Sequence, residues 1–305
     1  MKPLLITIAI PAYNNEKSIQ KTIDSCLEQE TDIAYEILIL DDASTDSTPK
    51  IIKSYTNEKI RIVTLEERVP LIANHNKCLE HAKGEYILFC HADDKLESHA
   101  ITYYAKKLKQ RNFPSKYVVW GHSMFRDYSQ KISHFDGFSY NTMQVGEYTP
   151  KLFFYGGLTP SGTLYSRQSF LDLDGYIYTE MNASPSDMTT MIYLAMHGFR
   201  FEMVDEMLFY REGSSTALVY ENDDIYLSEI EDAFKFLIKK IDTPVLKKLL
   251  KLSIPLKNKP FYFLYAMSQE KELHSAIKKI MLKEILCKPW ILRQDVIKRT
   301  LSRVF

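Results

Sequence analysis

Glu36-Ile37-Leu38-Ile39-Leu40-Asp41-Asp42-Ala43-Ser44-Thr45-Asp46 is the stretch that decides the fold. An apolar, β-branched run that stops at two adjacent acids reads as a buried strand whose carboxyl end carries polar chemistry. The same pattern recurs on either side. Leu5-Ile6-Thr7-Ile8-Ala9-Ile10 runs into Pro11-Ala12-Tyr13-Asn14, and Tyr86-Ile87-Leu88-Phe89-Cys90 runs into His91-Ala92-Asp93-Asp94. Between these runs, apolar residues return at helical spacing. They predict helices over 17–29, 47–55, 71–82 and 97–110, with further strands over 60–65 and 117–120. Strands alternating with helices predict a mostly parallel sheet covered by helices, an α/β fold. In such open sheets ligands bind beyond the carboxyl ends of the strands.

Farther along, 188–196 reads as a helix ended by Gly198, and 200–204 and 207–210 as short strands. Residues 112–162 are rich in aromatics, Ser and Gly, which serve equally as a cleft lining or as ordinary core. The spacing predicts an α-helical C-terminal extension over 223–305 behind a first domain over 1–222. From 233 to 305 there are seventeen Lys/Arg and five Asp/Glu. Since the whole chain has 39 of each class, the earlier residues carry the matching acidic surplus. The basic helices read as a solvated face, an oligomer contact, or a surface for anionic lipid at the inner membrane face.

Zero net charge over 305 residues offers no electrostatic case for nucleic acid, and 45% hydrophobic residues exclude a disordered or collagen-like chain. Cys26, Cys78, Cys90 and Cys287 show no paired spacing, which points to reduced thiols in a cytoplasmic protein. The opening apolar run is cut by Pro11 and lacks a cleavage site, so it reads as a strand rather than a leader. No apolar stretch reaches the roughly 18 residues of a membrane span.

The two acidic pairs, Asp41-Asp42 and Asp93-Asp94, repel one another unless a cation joins them, and oxygen ligands suit a hard divalent ion. No GxGxxG follows the first strand and no GxxxxGK[ST] occurs, so phosphate charge needs another partner; carboxylate-held Mn²⁺ or Mg²⁺ supplies one. Read blandly, Asp41, Asp42, Asp93, Asp94 and Asp187 are turn and cap residues, Tyr13 is core, and His91 is a hydrogen-bonding histidine.

Four ordered features together resemble family 2 glycosyltransferases of the GT-A fold, the inverting, nucleotide-sugar-dependent group. They are Ile8 to Asn14; Glu36 to Asp46; Asn74-His75-Asn76 with Ala82-Lys83-Gly84-Glu85-Tyr86-Ile87 and His91 to Asp94; and Ser186-Asp187 before His197-Gly198-Phe199-Arg200-Phe201 and Tyr210-Arg211. The resemblance implies that Tyr13, beside Pro11 and Ala12, flanks the nucleotide base. It implies that Asp42 accepts a hydrogen bond from uracil, supported by Asp41, and that Asn76 and Arg68 lie near the donor. The family's DxD motif falls on His91-Ala92-Asp93, making Asp93 a metal ligand with Asp94 beside it, and Asp187 falls on the general base.

Two departures stand out. His91 replaces the first Asp of DxD. Glu212-Gly213-Ser214-Ser215 follows Tyr210-Arg211 where the family often keeps a further His ligand, leaving Arg211 for the pyrophosphate. The implied function is metal-dependent inverting transfer of a sugar from a nucleotide-sugar, a UDP-sugar by family habit, to a hydroxyl of a glycan or lipid-linked acceptor in surface polysaccharide synthesis. Two alternatives stay open, a non-catalytic nucleotide- or carbohydrate-binding module of the same fold, and a sugar-nucleotide pyrophosphorylase. The latter needs a Gly-rich basic loop that Pro11-Ala12-Tyr13-Asn14-Asn15 does not provide.

Overall fold

A computed structural model describes residues 4–126, 132–134, 146–148, 160–177, 186–212 and 239–240. Strand β1 (Leu5–Ala12) is buried along seven of its eight positions, as expected of a central strand covered on both faces. It pairs in parallel with β2 (Ala34–Asp41), in a register that sets Ala12 beside Asp41, and with β4 (Tyr86–Phe89), whose Phe89 lies beside Ala9. β3 (Ile60–Thr64) extends the sheet past β2 and is only partly buried. Helices α1 (Ile19–Leu27), α2 (Thr48–Lys53), α3 (Leu71–His81) and α4 (Ala100–Gln110) connect or follow these strands.

Beyond β4 the pairings turn mixed. β9 (Thr163–Ser166) runs antiparallel to both β4 and β6 (Tyr117–Arg126), and β10 (Arg200–Glu212) runs parallel to β6. The short β5 (Asp94–Leu96) lies antiparallel to β10. β7 (Ile132–His134) adds to β6 and β8 (Gly146–Tyr148) to β10. Among the described residues the sheet order is β3-β2-β1-β4-β9-β6-β10-β5. The α/β class read from the sequence therefore holds, as a mixed sheet.

Several boundaries move. The helix expected from residue 97 starts at Ala100, because 94–96 is taken by pairing with β10. Asp93 and Asp94 consequently do not cap it. The two strands expected over 200–204 and 207–210 are one strand with register irregularities between Met203 and Phe209.

The chain divides into two compact units. The first (Met1–Thr149, Leu158–Tyr176 and His197–Val219) contains the sheet. The second (Pro150–Gly157, Ile177–Met196 and Tyr220–Phe305) contains α6 (Ser186–Met196), where the Ile177 amide donates to Thr190 Oγ1 at 2.9 Å. α5 (Arg167–Leu171) follows β9. The expected boundary at 222/223, the helical extension and Cys287 fall outside the described residues apart from 239–240. Cys26, Cys78 and Cys90 are free, buried thiols. Among the described residues no helix is long and apolar enough to cross a membrane.

β10 is tied to α4 and β6 by one buried carboxylate. Glu202 receives Lys107 Nζ at 3.2 Å, Arg111 Nε at 2.8 Å and the Tyr117 hydroxyl. Burial works to raise its pKa, but these donors outweigh burial and hold it at about 2. Glu202→Gln should cost about 2–3 kcal/mol at pH 7, below the figure for a sealed ion pair because Lys107 and Arg111 keep some contact with water. A carboxyl lowered on folding stabilises above its unfolded value of about 4.3, and that contribution is lost as pH falls toward 2. Chemical denaturation should thus show the gap between wild type and Glu202→Gln closing between about pH 4 and pH 2; a gap independent of pH would contradict this.

Candidate active site

The register of β1, β2 and β4 delivers three loops to one edge of the sheet. The first two are laced together by side chains. The Asn14 amide donates to Ser44 Oγ at 2.9 Å, and Thr45 N donates to Asn14 Oδ1 at 2.8 Å. Asn15 N donates to Thr48 Oγ1 at 2.7 Å, while Glu16 N reaches Asp46 Oδ2 and Ser47 N reaches Glu16 Oε2. Asn14 and Ala43 both have φ of 52°. For Ala43 this left-handed conformation is unfavourable, and such local cost collects where a site over-determines the backbone.

Asp41 is fully buried; its Oδ1 accepts from Ser44 N at 3.3 Å, and among the described residues its Oδ2 has no hydrogen-bond partner. Asp42 is 2% exposed and accepts from Val69 N at 2.8 Å. Burial raises its pKa above the ordinary carboxylate value; the Val69 bond and the Arg68 charge oppose that rise, and the neighbouring Asp41 adds to it. The Arg68 guanidinium sits 4.0 Å from the centre of the Tyr13 ring. Tyr13, Arg68 and Asp42 are thus brought together, with Pro11 and Ala12 buried in β1 behind them. A half-buried aromatic ring, a cation and a carboxylate acceptor are chemically suited to a planar base.

The third loop gathers His91, Asp93 and Asp94, whose ligand atoms all lie within 4.8 Å of one another. An ion bonded at about 2.1–2.4 Å to each keeps its ligands roughly 3–4.7 Å apart, so the cluster fits one divalent cation after a slight closure. His91 Nδ1 is 4.0 Å from Asp94 Oδ2. The loop is held from behind: His91 N donates to Ser161 Oγ at 3.1 Å, and Thr22 Oγ1 donates to the Asp94 carbonyl at 2.8 Å. β5–β10 pairing sets Arg211 opposite Asp94, and the Arg211 charge acts on His91. Burial chiefly, then His75 and Arg211, hold the His91 pKa well below the usual histidine range.

Two further expected residues are Asn76 and Asp187. Asn76 was expected beside the donor; the structure places both its amide atoms on the Tyr176 backbone, donating to the carbonyl at 2.9 Å and accepting from the amide at 2.7 Å. Gly175 permits that clasp, having φ of 71° and no Cβ to collide with Asn76 Oδ1. Asp187 is the second residue of α6, in the second unit. Reading the sequence assigned no role to His75, Ser161 or Val69. His75 was legible only as a histidine four residues after Leu71 on a helix, whose ring can reach back to that carbonyl: Nδ1 lies 2.9 Å from it.

A model of the family described as "Glycosyl transferase family 2" matches residues 7–173. A Bacillus subtilis protein named for teichuronic acid biosynthesis, TuaG, is 40% identical over 96 residues, 31% of this chain and 37% of its own length. A poly(ribitol-phosphate) beta-glucosyltransferase of Bacillus spizizenii is 39% identical over 100 residues, 32% of this chain and 16% of its own length. The chain thus spans well under half the length of these relatives. Among solved structures, residues 1–349 of S. aureus TarS, in complex with UDP-GlcNAc, superpose with a TM-score of 0.64 at 18% identity, covering 87% of this chain and 80% of that one. That likeness shows the fold, which is GT-A.

A carboxyl whose pKa is raised on folding holds its proton more tightly in the folded chain, so stability falls as pH rises through the unfolded value and the loss is complete above the raised one. Asp42→Asn keeps an acceptor for Val69 N and removes the buried charge. It should melt above wild type at pH 7, with the difference vanishing as pH falls to about 4, near the unfolded aspartate value. Melting below wild type at pH 7 would contradict the assigned cost of the Asp42 charge.

Proposed function

This chain belongs to glycosyl transferase family 2, and on that premise we propose that it moves a sugar from a UDP-sugar to an acceptor hydroxyl with inversion, using a divalent cation. One observation carries the reading. The strand register sets Tyr13 and Asp42, with Arg68 over the Tyr13 ring, and the His91–Asp93–Asp94 cluster on neighbouring loops of a single sheet edge, an arrangement that suits a base beside a divalent ion.

On this reading the uracil ring lies against Tyr13. Asp42 Oδ1 is held by Val69 N–H, and Oδ2 accepts the base imide N–H. Asp41 keeps the turn from opening. The diphosphate extends toward the third loop, where His91, Asp93 and Asp94 would hold Mn²⁺ or Mg²⁺ and Arg211 contributes a second positive charge. Such an ion, when bound, supplies Lewis-acid stabilisation of the negative charge that builds on the departing diphosphate.

Asp187 takes the proton of the acceptor hydroxyl as that oxygen attacks the anomeric carbon, since an alcohol is a poor nucleophile at neutral pH. The new carbon–oxygen bond forms as the bond to the diphosphate breaks, and the bonding pair leaves with the nucleotide. A single displacement inverts the anomeric centre and needs no protein nucleophile.

TuaG and the poly(ribitol-phosphate) glucosyltransferase support a surface polymer as acceptor. The basic surplus over 233–305 suits an anionic polymer or the anionic inner face of a membrane, which agrees with a cytoplasmic enzyme at that surface.

Asp187→Asn should lower transfer at least about 100-fold while UDP affinity, measured by calorimetry with Mn²⁺, changes less than about twofold. Retained turnover would reassign the base. UDP-sugar binding by the wild type without turnover on any hydroxyl acceptor would favour the non-catalytic module.

A further inference from the structure

We propose that His75 is a positioning residue that fixes the tautomer of His91, so that His91 presents Nδ1 as a nitrogen ligand to the divalent cation. The inference rests on the function proposed above and deepens it by assigning a metal preference.

The Leu71 carbonyl lies 2.9 Å from His75 Nδ1. A carbonyl only accepts, so His75 Nδ1 carries the proton. His75 Nε2 lies 3.1 Å from His91 Nε2, a distance that admits one shared proton and excludes two. In neutral His75, Nε2 is then a lone pair, and the shared proton belongs to His91 Nε2. Neutral His91 is left with its lone pair on Nδ1. That atom faces Asp94 Oδ2 at 4.0 Å, too long for a hydrogen bond and suited to an ion bonded to both.

The opposite assignment requires an imidazolium at His75, donating from both nitrogens, and an Nδ1–H on His91 pointing at Asp94 across that same gap. His75 is 2% exposed and packed against the rings of Phe89 and Tyr176, where an imidazolium is costly to bury.

The His75 ring has little freedom to choose otherwise. It packs against Phe89 at 5.3 Å and Tyr176 at 5.7 Å between ring centres, and meets His91 edge-on at 85°. Tyr176 is in turn clasped by Asn76 through its backbone. The relay therefore runs from the Leu71 carbonyl through two imidazoles to the cation site, in the manner of outer partners that orient histidine ligands. One nitrogen among two carboxylates favours Mn²⁺ or Co²⁺ over Mg²⁺, which prefers an all-oxygen shell.

The test uses the full chain with Mn²⁺ or Mg²⁺ and UDP as probes. Nitrogen-15 spectra of the wild type without metal should show His91 protonated on Nε2 and bare on Nδ1; a proton on Nδ1 overturns the proposal. His75→Phe keeps an aromatic ring but cannot accept. It should weaken Mn²⁺ binding, read by calorimetry or by the Mn²⁺ spin signal, about 10- to 100-fold and mix the His91 tautomers. His91→Asp should abolish the preference for Mn²⁺ over Mg²⁺. Asp93→Asn separates the two levels of the argument. If it leaves Mn²⁺-dependent UDP binding intact, the proposed function fails at this site. If it removes that binding while His75→Phe changes neither Mn²⁺ affinity nor the tautomer, only the role of His75 fails.

Discussion

Like charge held together by the sheet is the constraint on which the rest depends. Asp41 and Asp42 end β2, and Asp93 and Asp94 follow β4, with β1 between the two strands. Three of these four residues, Asp41, Asp42 and Asp94, are almost wholly buried. Burying carboxylates works against folding unless hydrogen bonds and opposite charges offset it. The raised pKa of Asp42 is a local sign of that cost. A chain under selection for stability alone has no use for this arrangement, so the cost marks a site kept for a ligand.

The surrounding structure opposes the repulsion in three ways. Backbone amides of Ser44 and Val69 donate into Asp41 and Asp42. The Arg68 guanidinium stands over Tyr13, close enough to act on Asp42. Arg211 arrives opposite Asp94 because β10, anchored through Glu202, is continuous from the α4 contact to the site. His75, itself packed by Phe89 and Tyr176, meets the ring of His91 from behind. Each device acts by holding geometry in place before a ligand arrives, which is where electrostatic catalysis draws its strength.

How much of this was legible in the sequence follows from the range of each signal. Periodicity is local, so the parallel half of the sheet and its helices were readable from runs such as Leu5 to Ile10 and Glu36 to Leu40. The short strand at Asp94–Leu96 was not, because its partner lies more than a hundred residues away in β10. The acidic pairs were readable because like charge at strand ends is chemically conspicuous. The clasp of Asn76 on Tyr176 and the His75–His91 contact were hidden, since an amide or an imidazole carries no mark of the partner it will meet. Family resemblance placed Asn76 near a donor, and nothing in the sequence showed that both its amide atoms bond the Tyr176 backbone.

The central claim is that one divalent ion, held by the loop after β4, sits beside a uridine nucleotide held by the loops after β1 and β2. Anomalous diffraction from crystals soaked with UDP and Mn²⁺ tests it directly. The account predicts a manganese peak at bonding distance, about 2.1–2.3 Å, from His91 Nδ1 and the carboxylates of Asp93 and Asp94, with the base against Tyr13. A well-ordered nucleotide with no manganese peak at those three side chains would contradict it.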